Sequence, residues 1–143
     1  IAVAVGPSFT ATACESNGLR TLHGLSSHGF PNWFFIGVNQ NGLSVNMTAM
    51  FDDQAQHIAY ILSELRNRGL TVAEVTAEAE AAWIAEIRRL AVNNLAFQEA
   101  CTPGYYNNEG QLAARGKGLS SEVYAPGINA FNAVLAAWRE TGL

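Results

Sequence analysis

The sequence predicts a mainly helical chain with one buried strand, a loop and about three helices. Three observations predict it. Apolar residues recur at helical spacing in three separate stretches. One short run, Trp33-Phe34-Phe35-Ile36-Gly37, is wholly aromatic and β-branched up to its glycine. Prolines, glycines and asparagines gather between these stretches rather than inside them.

Taken in order, Ile1, Val3 and Val5 alternate with alanines, a weak strand signal that Gly6-Pro7 breaks. Residues 20–32 read as loop, punctuated by Gly24, Gly29 and Pro31. The run from Trp33 to Gly37 reads as a strand buried on both faces, as in a parallel sheet. One strand is not a sheet, so its partners are expected upstream or in another molecule. Val38 to Val45 is polar and glycine-containing, hence a loop. A long helix follows, with Ala55, Ile58, Ile61, Leu62 and Leu65 as its stripe and Asn46 or Thr48 as its cap. Asp52 and Asp53 are expected in its first turn, Arg66 and Arg68 near its end, and Gly69 just past it.

Thr71 to Val75 is a short extended piece. Thr76 opens a second helix, with Glu78 and Glu80 in its first turn. Its apolar stripe is Trp83, Ile84, Ile87, Leu90 and Ala91. Residues 98–120 carry Pro103-Gly104, Asn107-Asn108, Gly110, Gly116 and Gly118, so they read as turns and loop. Pro126 is expected in the first turn of a third helix whose face is Ile128, Phe131, Val134, Leu135 and Trp138, with Gly142 at its end. The chain has no internal repeat and no low-complexity tract.

With 143 residues, 49% hydrophobic and 14% charged, the chain has the length of about one globular domain. The net charge is −4, and the basic residues are Lys117 and seven scattered arginines. No basic patch points to nucleic acid. No apolar run reaches the roughly 18 residues of a membrane span. The segment from Ile1 to Val5 has no basic region before it and does not read as a signal peptide. The first residue is Ile rather than Met, as expected of a sequence cut from a longer one. Cys14 and Cys101 are expected to be reduced thiols of a cytoplasmic protein.

Most candidate chemistry has a simpler reading. His23, His28 and His57 do not have metal-ligand spacing, and His57 follows Asp53 by four residues, as in a surface pair. Gly116-Lys117-Gly118 lacks the order of a phosphate loop, and no G-x-G-x-x-G or G-x-S-x-G motif occurs. The acid pairs Asp52/Asp53 and Glu78/Glu80 are explained by the helix dipole without catalysis. One candidate is left, the strand, loop and helix from Phe30 to Leu65. A helix N-terminus beyond a strand's carboxyl end offers unpaired N–H groups to an electron-rich acceptor, such as the carbonyl edge of a flavin. The same geometry also serves packing alone.

Five motifs carry a resemblance. The run from His28 to Gly37 resembles the G-F-P-N-L-F-F-x-G segment near the C-terminus of Baeyer–Villiger monooxygenases. The stretch from Asn46 to Ile61 is similar to the helix that follows, N-x-x-x-M-x-x-x-Q-x-x-H-I-x-Y-I/V. Thr76 to Trp83 resembles the family's T-P-E-A-E-A-x-W helix start. Cys101 to Gly110 resembles a late segment near the substrate side, and Ala137-Trp138-Arg139 the tail helix. The motifs stand in the family's order from about Arg20 to the end, while residues 1–19 form an unmatched leader.

The resemblance implies an α/β parent with two dinucleotide-binding domains for FAD and NADP(H). It implies a reaction in which oxygen is inserted beside a ketone carbonyl to give an ester or lactone. The nucleotide loops and the family's arginine beside the flavin are expected in a missing N-terminal part, so the chain alone is expected to be inactive. No catalytic residue is assigned to it. Residues 20–69 would be the last strand, loop and helix of the FAD-binding domain, and 70–143 a helical tail. Gly37, Val38, Asn39, Gln40, Val45, Asn46 and Met47 would face the flavin. Many flavoproteins place an aspartate after the final-strand glycine; here Val38 follows, as suits the monooxygenase branch. Two rivals are a stand-alone binding module that buries Trp33 to Ile36 within itself, and a half-enzyme that complements a separate N-terminal chain.

Overall fold

A computed structural model of the chain describes residues 20–92, 100–103 and 123–141. Among these residues three helices form, α1 (Met47–Asn67), α2 (Ala77–Leu90) and α3 (Ile128–Thr141). Residues 1–19, 93–99, 104–122 and 142–143 lie outside this description. So do the leader, most of the irregular segment at 98–120 and Gly142. No described helix is long and apolar enough to cross a membrane.

Both ends of α1 follow from local chemistry. The Asn46 side chain accepts the Ala49 N–H at 3.1 Å, so Asn46 rather than Thr48 is the cap. At the other end Gly69 takes φ +65, the left-handed conformation that favours glycine. Its N–H donates to Arg66 at 3.1 Å and the Leu70 N–H to Leu65 at 2.8 Å, which satisfies two terminal carbonyls. Asp52 and Asp53 are not in the first turn, because the helix begins at Met47. Asp52 accepts from Gln56, and Asp53 accepts from Asn132 of α3.

The buried face of α1 differs from its apolar stripe. Met50, Gln54, His57 and Ile61 are buried, while Ala55 is exposed and Leu62 is 47% exposed. Two polar side chains can occupy the inner face because each finds a partner there. Gln54 holds the backbone of Gly37, and His57 accepts from Arg139 of α3 at 3.0 Å. The expected surface pair of His57 with Asp53 therefore does not form.

Thr76 caps α2, accepting from Ala79 N–H at 3.2 Å, and Glu78 and Glu80 lie in its first turn as expected. Glu80 is buried and gathers the loop at 20–28. It accepts from Arg20 Nε at 2.9 Å, Ser27 Oγ at 3.0 Å and His28 N–H at 2.9 Å. α3 begins at Ile128, so Pro126 lies in the preceding turn rather than inside the helix. The core joins Trp83 and Ile87 of α2 to Phe131 and Leu135 of α3, with Tyr124 stacked on Trp83. Gly42 is pressed against α3; a Cβ there would lie 2.5 Å from Phe131 Cβ.

The expected buried strand is corrected. Residues 33–36 form no regular element and pair with no strand among the described residues, and Trp33 and Ile36 are 52% and 54% exposed. Its flanks are held by other means. Phe35 N–H donates to Leu25 O at 2.7 Å, and Asn32 clasps Ala73 through both its backbone N–H and its side-chain oxygen. The physical reason is the lack of neighbours: the described residues contain two isolated bridges, Leu22 with Ser26 and Gly42 with Tyr124, and no sheet for the run to enter. The segment from Thr71 to Val75 likewise pairs with no strand.

Candidate functional site

The loop from Gly37 to Asn46 leads into the N-terminus of α1, and it has a fixed half and a free half. In the fixed half, Gly37 N–H donates to Gln54 Oε1 at 3.0 Å. Gly37 O accepts from Gln54 Nε2 at 2.8 Å and from Asn41 Nδ2 at 2.7 Å. Gln40 is buried at φ +56. Its side-chain oxygen accepts from Thr21 N–H and Thr21 Oγ1, and its main-chain oxygen from Trp83 Nε1 at 3.0 Å. Asn41 O accepts from Tyr124 N–H at 2.9 Å. Asn41 is fully buried, and its Oδ1 has no hydrogen-bond partner among the described residues.

In the free half, Leu43 and Met47 are about half exposed and Val45 is fully exposed. These three apolar residues lie at and just before a helix start that carries no acidic residue in its first turn. The partial positive charge at this N-terminus is therefore not neutralised by a carboxylate of its own turn.

The residues expected to face a flavin are thus split. Gly37 and Gln40 are tied into the fixed half by hydrogen bonds, Val38 is half-buried and Asn39 exposed, and Val45, Asn46 and Met47 form the exposed end. Sequence reasoning missed His23, His57, Glu80 and Arg139 as organising residues. His23 sits among aromatic rings, 4.7 Å from Trp83 and 5.9 Å from Trp138 between centroids. Burial, with His57 nearby, lowers its pKa to about 3. Burial, with the Arg139 guanidinium beside it, lowers that of His57 to about 4. Both rings are neutral near pH 7. A signal for His57 did exist: positions 50, 54, 57 and 61 form a helical stripe once Gln and His are allowed on an inner face.

No family model matches the chain. Among curated proteins it is 43% identical to neopentalenolactone D synthase of Streptomyces avermitilis, over 87% of this chain and 21% of that protein. It is 42% identical to a Baeyer–Villiger monooxygenase of Streptomyces coelicolor, over 92% of this chain and 21% of that one. It is 37% identical to an FAD-binding monooxygenase of Penicillium brasilianum, over 89% and 21%. Among solved structures it superposes on the polycyclic ketone monooxygenase of Thermothelomyces thermophila with a TM-score of 0.78 and 30% identity, covering 92% of this chain and 21% of that one. It also superposes on a steroid monooxygenase bound to NADP, with a TM-score of 0.72 and 25% identity, covering 96% and 24%. The chain spans about a fifth of the length of the relatives it matches, and over that fifth it is similar in sequence and in fold to Baeyer–Villiger monooxygenases.

Proposed function

We propose that the chain is the C-terminal part of an FAD- and NADPH-dependent Baeyer–Villiger monooxygenase and that residues 37–47 lie against its flavin. On this reading residues 20–69 complete the FAD-binding domain and 70–143 form a helical tail. The whole enzyme takes a ketone and O2 to an ester or lactone. The observation that carries the reading is the exposed apolar end at Leu43, Val45 and Met47, set around an acid-free helix N-terminus. That end fits an aromatic ring system with an electron-rich carbonyl edge.

The flavin, reduced by NADPH, supplies the oxygen-transfer chemistry when bound. The contribution of this chain is positioning and exclusion of water. Gln54 and Gln40 fix the loop on either side of Val38 and Asn39, Asn39 exposed and Val38 half-buried. Asn46 caps α1 while the first N–H groups of the helix stay available to an acceptor. Val45 and Met47 offer apolar contact that keeps water away from the ring. A stand-alone module is disfavoured by the exposure of Trp33 and Ile36, which such a module would bury.

Two measurements test the proposal. The purified chain with FAD, NADPH, oxygen and cyclohexanone is expected to form no ester, and sustained turnover would overturn it. A chimera with this chain in place of the matching fifth of the Streptomyces coelicolor relative is expected to retain bound flavin by absorbance. A chimera that folds but holds no flavin would sink the assignment of residues 37–47.

A further inference from the structure

The loop at 37–47 is gripped from two sides. At its start, Gly37 N–H donates to Gln54 Oε1 of α1 at 3.0 Å, and Gln54 Nε2 donates to Gly37 O at 2.8 Å. Its middle is gripped by the tail, at the consecutive residues 40–42. Trp83 Nε1 of α2 donates to Gln40 O at 3.0 Å. Tyr124 N–H, in the turn before α3, donates to Asn41 O at 2.9 Å. Gly42 lies so close to α3 that a Cβ on it would stand 2.9 Å from Ile128 Cα. Most of the residues assigned to the flavin flank this grip, with Val38 and Asn39 before it and Val45 to Met47 after it.

Gln40 depends on the grip. Its φ of +56 is left-handed, a region that a residue with a Cβ holds only where its surroundings fix it. Thr21 fixes the side chain, donating to Gln40 Oε1 through its N–H and its hydroxyl. Trp83 fixes the carbonyl. The peptide is planar, so the direction of that carbonyl sets the plane of the 40–41 peptide and the course of the chain beyond it. Asn41 Oδ1 has no partner among the described residues; Asn41 is held through Nδ2, on Gly37 O, and through its main-chain oxygen.

Trp83 is also a core residue. It is 6% exposed, stacks on Tyr124 with 5.4 Å between centroids and meets His23 at 4.7 Å. A phenyl ring fills most of that space with no polar atom to satisfy. A buried indole N–H needs an acceptor, and here the acceptor is the backbone of the loop, 43 positions away.

We propose that Trp83 is a positioning residue for the flavin: through Gln40 O it fixes the 40–41 peptide, so that the tail aims the residues on both flanks of the loop. This rests on the reading of residues 37–47 as flavin-facing. It adds that α2 of the tail, and not the segment 20–69 alone, sets where they meet the ring. Trp83 is buried and acts through the loop.

The test uses the chimera with the Streptomyces coelicolor relative and follows FAD affinity and the visible flavin spectrum. Trp83→Phe keeps a ring beside Tyr124 and His23 and removes the donor. Leu135→Ala, one turn along α3 from Phe131, is the control, because it costs core packing and takes no hydrogen bond from the loop. In Trp83→Phe the FAD dissociation constant is expected to rise about tenfold, the weight of one buried hydrogen bond, with shifted absorption maxima. Leu135→Ala is expected to lower the melting temperature at least as far and to leave affinity and spectrum as they were. Unchanged affinity and spectrum in Trp83→Phe overturn the proposal, as does an equal change in Leu135→Ala. If Trp83→Phe does not fold, Gly42→Ala decides: its Cβ meets Phe131 and drives the loop from α3, and an unmoved flavin spectrum there overturns the proposal. A folded parent chimera without flavin sinks the reading of residues 37–47 and the proposal with it. A parent chimera that holds flavin indifferent to Trp83 sinks the proposal alone.

Discussion

α1 and α2 start in the same way. Asn46 and Thr76 each accept the N–H three residues on, at 3.1 and 3.2 Å. What surrounds the two starts is opposite. The first turn of α2 carries Glu78 and Glu80, and Glu80 is buried under Arg20, Ser27 and the backbone of His28. The first turn of α1 carries no acid, and its neighbours Leu43, Val45 and Met47 face outward. One helix start is covered by side chains and backbone of this chain; the other presents apolar side chains outward. The relatives it matches are about five times as long as the matched stretch, and on the proposed function the open start is the one that meets the flavin.

The largest effect is expected at the completed end. Glu80→Ala removes the acceptor of three hydrogen bonds, one of them from a guanidinium, and leaves the His28 N–H without it, while Ser27 Oγ keeps Arg20 O at 2.7 Å. A loss of about 3 kcal/mol is expected in urea unfolding, because the His28 N–H is orphaned and the guanidinium loses its carboxylate. Glu80→Gln should recover part of it, since a carboxamide oxygen still accepts. A loss under about 0.5 kcal/mol, the usual range for surface positions, would mean that α2 is no more closed by its own chain than α1 is.

Acid comes next and acts on the same packed side. His23 and His57 have folded pKa values of about 3 and about 4, below the ordinary 6.5. The unfolded chain therefore binds more protons than the folded one between those values and 6.5. Stability from these rings is fully present above pH 6.5 and falls as the pH drops through the interval toward 4 and then 3. Urea midpoints across that range should decline with falling pH, and His57→Gln should flatten part of the slope. An unchanged midpoint down to pH 4 would show that the rings reach water.

These two residues also mark what a sequence can reveal here. The three helices, the Thr76 cap and the Gly69 stop were legible, because capping and periodicity are local properties of adjacent residues. The order of motifs around Gly37 and Asn46 was legible as a family likeness. Glu80 and His57 were not. Their burial depends on Arg20 and Arg139, 60 and 82 positions away, and local pattern has no access to such pairs. The run from Trp33 to Ile36 was misread for the complementary reason. Its composition suits a central strand, but a strand is a relation between segments, and the described residues supply no second one.

The smallest expected effect is the sharpest test of the open end. Val45 is 106% exposed, so it loses no apolar contact within this chain when changed. Val45→Ser should move the unfolding free energy of the isolated chain by less than about 0.5 kcal/mol. In the chimera the same substitution replaces an apolar contact with a hydroxyl beside the proposed ring. Flavin retention should then fall several-fold, by an amount consistent with the ~1.5–3 kcal/mol of a buried aliphatic side chain. The two readouts must separate. If Val45→Ser destabilises the isolated chain by more than about 1 kcal/mol, the residue packs against this chain after all. If neither readout moves, the apolar end is exposed in the whole enzyme too, and the contrast between the two helix starts has no bearing on the cofactor.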